Sequence, residues 1–427
     1  MSEEVIAILV TGILIFDFLL DLLLSFLNEK SSKNPIPSEL SGIYDDEKYQ
    51  KSQDYQNTTG RFAKISGTLS LILMVAAIWF GWFGFLDDWV RSLSSMTPLT
   101  PLIFFAILFL ISDLMGTPFS LYQNFIIEAR FGFNKMTLKT YFVDKLKGYL
   151  LTAFLGGGLL LVFVWMVEVI GADFWWYFWI VITIFLLALN IFYTSLLLPL
   201  FNKLVPLEEG ELKTSIADFA EKVEFPLTQV FVIDGSRRSS KGNAFFSGLW
   251  KKKKVVFYDT LIDKHSVDEL TAVFAHEVGH YKKNHIYIGT FMSIVQTGLM
   301  LFLLSKMILN SQVSFAMGGE VTAIHLNMLA FGVLYSPFSR ILGVIMNIIS
   351  RKHEYEADAY ATKYFGAQPL IDGLKKMSGD HLSNLTPHPA NVFINYSHPT
   401  VLQRIRAMNL LNKKLNLNHK IQYHLFQ

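Results

Sequence analysis

Cysteine is absent from the 427 residues, which excludes disulfides and thiolate metal sites and leaves any metal to histidine and carboxylates. Charge is scarce as well. Asp, Glu, Lys and Arg make up 17% of the chain, against about a quarter in an ordinary soluble domain. Neither sign dominates, since 37 Lys and Arg stand against 35 Asp and Glu, so the charge balance argues against nucleic acid as a partner. Apolar residues fill the place of charge: 52% are hydrophobic, 15% are aromatic, and mean hydropathy is +0.37. A soluble chain of this length would read as two or three domains of roughly 150 residues each. This composition reads as several membrane spans.

A span needs about 20 apolar residues, and stretches of that kind occur near 5–27, 66–86, 101–119, 149–171, 174–200, 286–309 and 324–350. The first follows two acidic residues, Glu3 and Glu4, and precedes no A-x-A-like site, so it reads as a retained span rather than a signal peptide. The third is short and ends in Asp113, Gly116 and Pro118, which leaves room for a broken helix. Lys and Arg test the count independently. The segment 28–65 holds six and 120–148 holds five, whereas 87–100 has only Arg91. The alternation places the N-terminus outside, and the 201–285 loop and the C-terminus in the cytoplasm.

Four parts follow. Residues 1–200 carry spans one to five with their loops, 201–285 form a cytoplasmic loop, 286–350 carry spans six and seven, and 351–427 form a C-terminal cytoplasmic region. Within the spans, Asp17, Asp21, Asp113 and Glu168 are expensive in hydrocarbon. They are expected to face protein or a water-filled interior, or to reach water at a span end.

The chemistry lies in His276-Glu277-Val-Gly-His280, preceded by Ser266-Val-Asp-Glu269 and the apolar Leu270, Val273 and Phe274. Ser-x-x-Glu before an apolar run is a capping box, which starts a helix. On that helix His276 and His280 are one turn apart, so both imidazoles can hold one cation beside Glu277. Zinc suits two such nitrogens, and a catalytic zinc needs a third protein ligand and an open position for water. Glu277 is then the general base, returning the proton to the leaving amine. The third ligand is expected from Glu354-Tyr-Glu-Ala-Asp358, where Glu354 and Asp358 share a helical face. Glu354 is the candidate ligand and Asp358 a carboxylate that could orient an imidazole; Glu356 and His353 are its rivals. The loop 310–323 is short, so spans six and seven can be neighbours with both half-sites at their cytoplasmic ends. Gln229 to Ile233 and Val255 to Tyr258 read as short strands around the Asn243 segment, an edge to which an extended peptide could add.

In this order the residues resemble the type I CAAX prenyl endopeptidase family. The likeness also includes Tyr49-Gln-Lys-Ser-Gln-Asp-Tyr55, Glu128-Ala-Arg-Phe-Gly-Phe-Asn134, Gly235-Ser-Arg-Arg-Ser-Ser240, Asn243-Ala-Phe-Phe-Ser-Gly248 and Ser397-His-Pro399 with Arg404. The resemblance implies a mainly α membrane protein: seven transmembrane helices in a barrel around a water-filled chamber, with a cytoplasmic gluzincin-type zinc protease domain containing a small β element. It further implies one Zn2+ on His276, His280 and Glu354, Asn243 beside the scissile peptide, and His398 and Arg404 at the substrate or the oxyanion. By sequence alone, His398 before Pro399 is more often a turn residue, a preference that the resemblance reverses. The family pattern has His at or near Lys241, where this chain departs. The expected partners are the lipid bilayer and a peptide or protein substrate, prenylated or, for a quality-control protease, misfolded. Either an endoplasmic reticulum membrane or a bacterial inner membrane fits, because the chain ends His-Leu-Phe-Gln without a retention signal. The reading from another class is a seven-helix transporter or channel with structural zinc. It is disfavoured because structural sites are closed by four protein ligands and three are apparent here.

Overall fold

A computed structural model describes residues 1–93, 96, 98–247 and 253–425. Gly248 of the Asn243 stretch and the terminal Phe426 and Gln427 lie outside the described residues. Five helical segments among those described are long and apolar enough to cross a membrane: Glu3–Ser31, Asp46–Trp79, Leu99–Glu128, Leu138–Phe201 and His285–Ser305. A sixth is a pair, Ile324–Leu334 and Ser336–Tyr364, bent by 50°. The protein is therefore mainly helical and membrane-embedded, with one small sheet.

Helix α1 (Glu3–Ser31) is a single span. Helix α2 (Asp46–Trp79) starts and stops earlier than the expected 66–86. Gly81, at φ +67, takes a backbone conformation costly to other residues and breaks it from α3 (Trp82–Leu93), which buries Phe83, Leu86 and Val90. Helix α4 (Leu99–Tyr122) runs through Pro118 without a break and continues as a π-helical turn over Gln123–Glu128. The segment Leu138–Phe201 spans 64 residues and contains α5 (Leu138–Leu151), α6 (Gly157–Ile170) and α7 (Phe174–Phe192). It reverses at Gly171, φ +71. The Phe163 and Phe178 rings lie 5.1 Å apart, whereas a straight helix would separate them by about 22 Å.

Helix α8 (Glu211–Lys222) precedes the sheet, and α9 (Val267–Lys282) follows it. Helix α10 (His285–Ser305) packs chiefly on α7, where the Trp179 indole donates to the Ile294 carbonyl at 2.8 Å. Helices α11 (Ile324–Leu334) and α12 (Ser336–Tyr364) meet at the bend beside Pro337, which cannot donate the backbone bond a straight helix needs. The seventh expected stretch ended at 350, with Glu354 four residues beyond it. Instead α12 continues unbroken to Tyr364 and carries Glu354 and Asp358 itself. Spans six and seven meet, as expected: Phe331 of α11 packs in one buried cluster with Leu301 and Leu304 of α10, and each also has a further partner. Helix α12 lies against α1, where Arg340 reaches Asp21 at 2.9 Å and Asp17 at 3.3 Å, while the main partner of α10 is α7. Two further helices, α13 (Ala367–Asp380) and α14 (Val401–Leu425), complete the part that surrounds α9.

The sheet has the order β1-β2-β4-β3, with β1 at Leu204–Pro206, β2 at Leu227–Ile233, β3 at Ala244–Ser247 and β4 at Lys253–Tyr258. Both expected strands exist, as β2 and β4, and they pair in parallel. The Asn243 segment leads into β3, antiparallel to β4 and on the edge of the sheet. Val255, Phe257, Phe219, Phe225 and Phe274 form one buried cluster under the sheet, α8 and α9. Phe274 meets the Phe219 and Phe225 rings edge-on at 6.0 and 5.8 Å. That apolar bed holds α9 rigidly, which matters because α9 carries the histidines.

Candidate metal centre

The capping box that opens α9 is complete. The Ser266 hydroxyl accepts from the Glu269 amide at 3.2 Å, and the Glu269 carboxylate accepts from the Ser266 amide at 3.0 Å. From this start the 3.6-residue period puts His276 and His280 on one face, their Nε2 atoms 3.1 Å apart.

Helix α12 crosses α9 at Gly279. A Cβ there would lie 2.9 Å from the Ala357 Cα and 3.0 Å from its carbonyl oxygen, so only glycine permits this approach. The crossing lays Glu354 across both imidazoles, Oε1 3.2 Å from His280 Nε2 and Oε2 3.5 Å from His276 Nε2. Its rivals go elsewhere: Glu356 meets His285 Nε2 at 3.0 Å, and His353 stacks on His285 at 3.9 Å.

The three donor atoms fit a metal. Tetrahedral zinc with ligand bonds near 2.05 Å sets its ligand atoms about 3.3 Å from one another; here the two Nε2 atoms are 3.1 Å apart, one Glu354 oxygen lies 3.2 Å from His280 and the other 3.5 Å from His276, and one donor atom from each residue falls within 4.8 Å of the others. Hydrogen bonding points the same way. His276 Nδ1 is 3.0 Å from Asp358 Oδ1, a carboxylate that only accepts, so Nδ1 carries the proton and Nε2 presents a lone pair. That lone pair faces the other imidazole's Nε2, and the buried Glu354 Oε2 is left without a hydrogen-bond donor. A His276 Nε2 lone pair and the Glu354 carboxylate converging on one point call for a positive charge between them, a proton in the metal-free protein or a metal ion in its place.

Asp358, 1% exposed, is clamped by the buried Arg404, whose Nε and Nη2 donate at 2.8 and 2.6 Å. Arg404 Nη1 also comes within 3.4 Å of Glu354 Oε2. Burial by itself would depress the His276 imidazole, but its hydrogen bonds to Asp358 and Glu354 outweigh that and raise it to about 9 in the metal-free protein. Loss of solvent pushes the Glu277 carboxyl up, opposed by the neighbouring imidazoles. A raised carboxyl is suited to accepting a proton and giving it back.

His398 is largely exposed at the mouth of the site, with Nε2 3.4 Å from Glu354 Oε1 and the Ser397 hydroxyl 2.9 Å from its Nδ1. Beside it opens a cavity of about 500 Å³ lined by Gln56, His381, Asn384, Asn395 and Ser397. Asn243 is exposed just before β3, its Oδ1 accepting from the Ala244 amide at 2.9 Å. Strand β3 packs toward α9 through Phe246, which meets the Tyr281 ring at 6.1 Å.

The segments singled out at a distance in sequence converge here. Tyr55 donates to Glu128 at 2.7 Å, and Lys241 reaches Glu128 at 3.1 Å and the Tyr55 hydroxyl at 3.1 Å while covering the Phe133 ring at 4.1 Å. Lys241, where the family pattern has His, thus ties the approach to β3 to α2 and the turn after α4. Two residues escaped the sequence reading. Gly279 had a signal, since glycine in a helix interior costs about 1 kcal/mol and asks for a packing reason. His285 had only its place five residues after His280.

Comparison with known proteins agrees with this geometry. Residues 25–203 match the CAAX prenyl protease N-terminal model, which has five membrane helices, and residues 206–411 match peptidase family M48. CAAX prenyl protease 1 of Saccharomyces cerevisiae is 32% identical over 440 residues, covering 95% of this chain and 96% of the yeast protein. The Homo sapiens homolog is 29% identical over 461 residues, covering 94% and 95%. The crystal structure of S. mikatae Ste24p superposes with a TM-score of 0.90 at 32% identity, covering 94% of this chain and 99% of that one. The chain therefore belongs to peptidase family M48, as a membrane-embedded metalloendopeptidase of the CAAX prenyl protease branch.

Proposed function

We propose that this protein holds one zinc ion on His276, His280 and Glu354 and uses it to cleave prenylated proteins near their C-terminal end. The observation that carries the reading is the convergence of His276, His280 and Glu354, one donor atom from each within 4.8 Å of the others, with Glu277 on the same helix as the two histidines. The zinc supplies Lewis acidity, which makes water a nucleophile near neutral pH. Glu277 takes the water's proton and delivers it to the leaving amine. His398, exposed at the mouth, donates to the negative charge that develops on the scissile carbonyl, a contribution of about 3 kcal/mol. Asn243 and the edge of β3 hold the substrate backbone extended by main-chain pairing, which tolerates many sequences. Arg404 acts through Asp358 and Glu354, to which its donors are committed.

In the same proposal the chain crosses the bilayer seven times around a wet chamber, with the metal centre on the cytoplasmic side. Support comes from the reversal at Gly171 and from charges inside the spans. Asp21 is largely exposed although it pairs with Arg340, and Asp113 pairs with Lys145 at 2.7 Å. Such groups need water or a partner at membrane depth.

The test offers the purified protein a farnesylated CAAX peptide and its unmodified counterpart of equal length. Faster turnover of the farnesylated peptide, abolished in Glu277→Gln with zinc retained, is expected. Equal turnover of the two would replace prenyl selection with a quality-control protease of loose specificity, and unchanged activity in Glu277→Gln would refute the mechanism.

A further inference from the structure

His276 is oriented by Asp358, but among the described residues no carboxylate faces the Nδ1 of His280. What faces that atom is another imidazole, His285 Nδ1, at 2.9 Å. His285 is buried, and its far nitrogen, Nε2, lies 3.0 Å from Glu356 Oε2. The contact exists because of the turn after α9. Asn284 sits at φ +61, ψ +24, a left-handed conformation that asparagine tolerates, and it turns the chain so that the first residue of α10 points back at the last turn of α9.

Read from its outer end, this chain of contacts has one self-consistent set of protons. The Glu356 carboxylate only accepts, so His285 Nε2 must carry a hydrogen. A neutral imidazole protonated at Nε2 has a bare Nδ1, which can only accept. The donor across 2.9 Å is then His280 Nδ1–H, and His280 Nε2 is left as a lone pair aimed at Glu354 and His276. Glu356 therefore determines the tautomer of the metal-binding histidine through an intervening ring.

We infer that Glu356 and His285 are positioning residues that act in series to hold His280 in its metal-binding tautomer and orientation, doing for the second histidine what Asp358 does for the first. The inference rests on the zinc reading of the centre. A competing role for His285 is packing, because its ring lies parallel to His353 at 3.9 Å with an interplanar angle of 8°. Packing does not need Glu356, and Glu356 is partly exposed with Lys352, 3.8 Å away, as its other ion-pair partner among the described residues. A merely solvated carboxylate there would be indifferent to substitution.

The two roles separate by substitution in the full-length, detergent-solubilised protein, stripped of metal and titrated with zinc(II) in competition with a chromophoric chelator. His285→Phe keeps a ring stacked on His353 but removes the acceptor for His280. Glu356→Leu removes the acceptor for His285, and Glu356→Gln keeps one. The expected result is a zinc dissociation constant raised about 10- to 100-fold in His285→Phe and Glu356→Leu, with Glu356→Gln restored to within about threefold of the parent. His276→Ala serves as the control for the centre itself. Zinc lost in His276→Ala but bound normally by Glu356→Leu overturns the relay and leaves the metal centre standing. Zinc bound normally by His276→Ala overturns both. Since Glu356 is at the surface, the Leu and Gln pair decides the question even where His285→Phe does not fold.

Discussion

Replacing Gly279 with alanine adds one methyl group at the crossing of α9 and α12. That Cβ would stand 2.9 Å from the Ala357 Cα and 3.0 Å from its carbonyl oxygen, whereas carbon atoms rest at about 3.5–4.0 Å. Both neighbours are backbone, so no side chain can rotate away, and α12 has to retreat by about 0.5–1 Å. Glu354 lies three residues before Ala357 and moves with it, while metal–ligand distances tolerate only about 0.2 Å. In stability two effects oppose each other. Alanine gains about 1 kcal/mol over glycine in a helix interior, and overpacking costs about 1–3 kcal/mol, so the net change lies between about zero and a loss of 2 kcal/mol. Catalysis has no such compensation. A displacement near 1 Å at the reacting centre costs about 100-fold. The expected Gly279→Ala protein is therefore folded, with a melting temperature close to the parent's, weakened zinc binding, and kcat/KM on a farnesylated peptide down about 100-fold. Activity within twofold of the parent with unchanged zinc affinity would refute the claim that this crossing sets the third ligand.

Glu277→Gln keeps the shape of the site but cannot take a proton, so single-turnover hydrolysis is expected to fall about 100- to 10,000-fold at unchanged zinc content by metal analysis. Arg404→Met removes both guanidinium donors from the buried Asp358 carboxylate and leaves it only the His276 contact, which should destabilise the protein by up to about 3–5 kcal/mol, read as a lowered thermal midpoint even without substrate. Gly84→Ala, remote from the centre, drives its methyl to 1.8 Å from the Gly318 carbonyl oxygen and should lower expression and stability by overpacking, at least about 1–3 kcal/mol. The pH dependence of zinc stabilisation follows from His276. In the metal-free protein its pKa is raised from 6.5 to about 9, so its contribution is full below pH 6.5 and is lost as pH rises through 9. Zinc replaces that proton, hence the gain in melting temperature on adding zinc to metal-free protein should grow between pH 6.5 and 9. A gain that shrinks over that range would contradict the assignment.

The sequence alone determined everything that is local or periodic. Long apolar runs with few charges dictate membrane helices, because backbone in hydrocarbon must satisfy its own hydrogen bonds. The Ser266 to Glu269 box and the i,i+4 spacing of His276 and His280 dictate one helix with both imidazoles on one face. The β-branched runs gave two strands in the right places. The tertiary structure decided what depends on how distant pieces meet. Whether Glu354, Glu356 or His353 completes the centre turned on the contact of Gly279 with Ala357, which no spacing rule encodes. The end of the second span turned on Gly81, and the bend within the seventh on Pro337. That Arg404 is spent on Asp358, and that His285 stands between Glu356 and His280, follows from α14 and α10 folding back onto α9. Periodicity records how a helix relates to itself, whereas these contacts join residues such as Arg404 and Asp358, 46 positions apart, and His285 and Glu356, 71 apart, and exist only once the chain has packed.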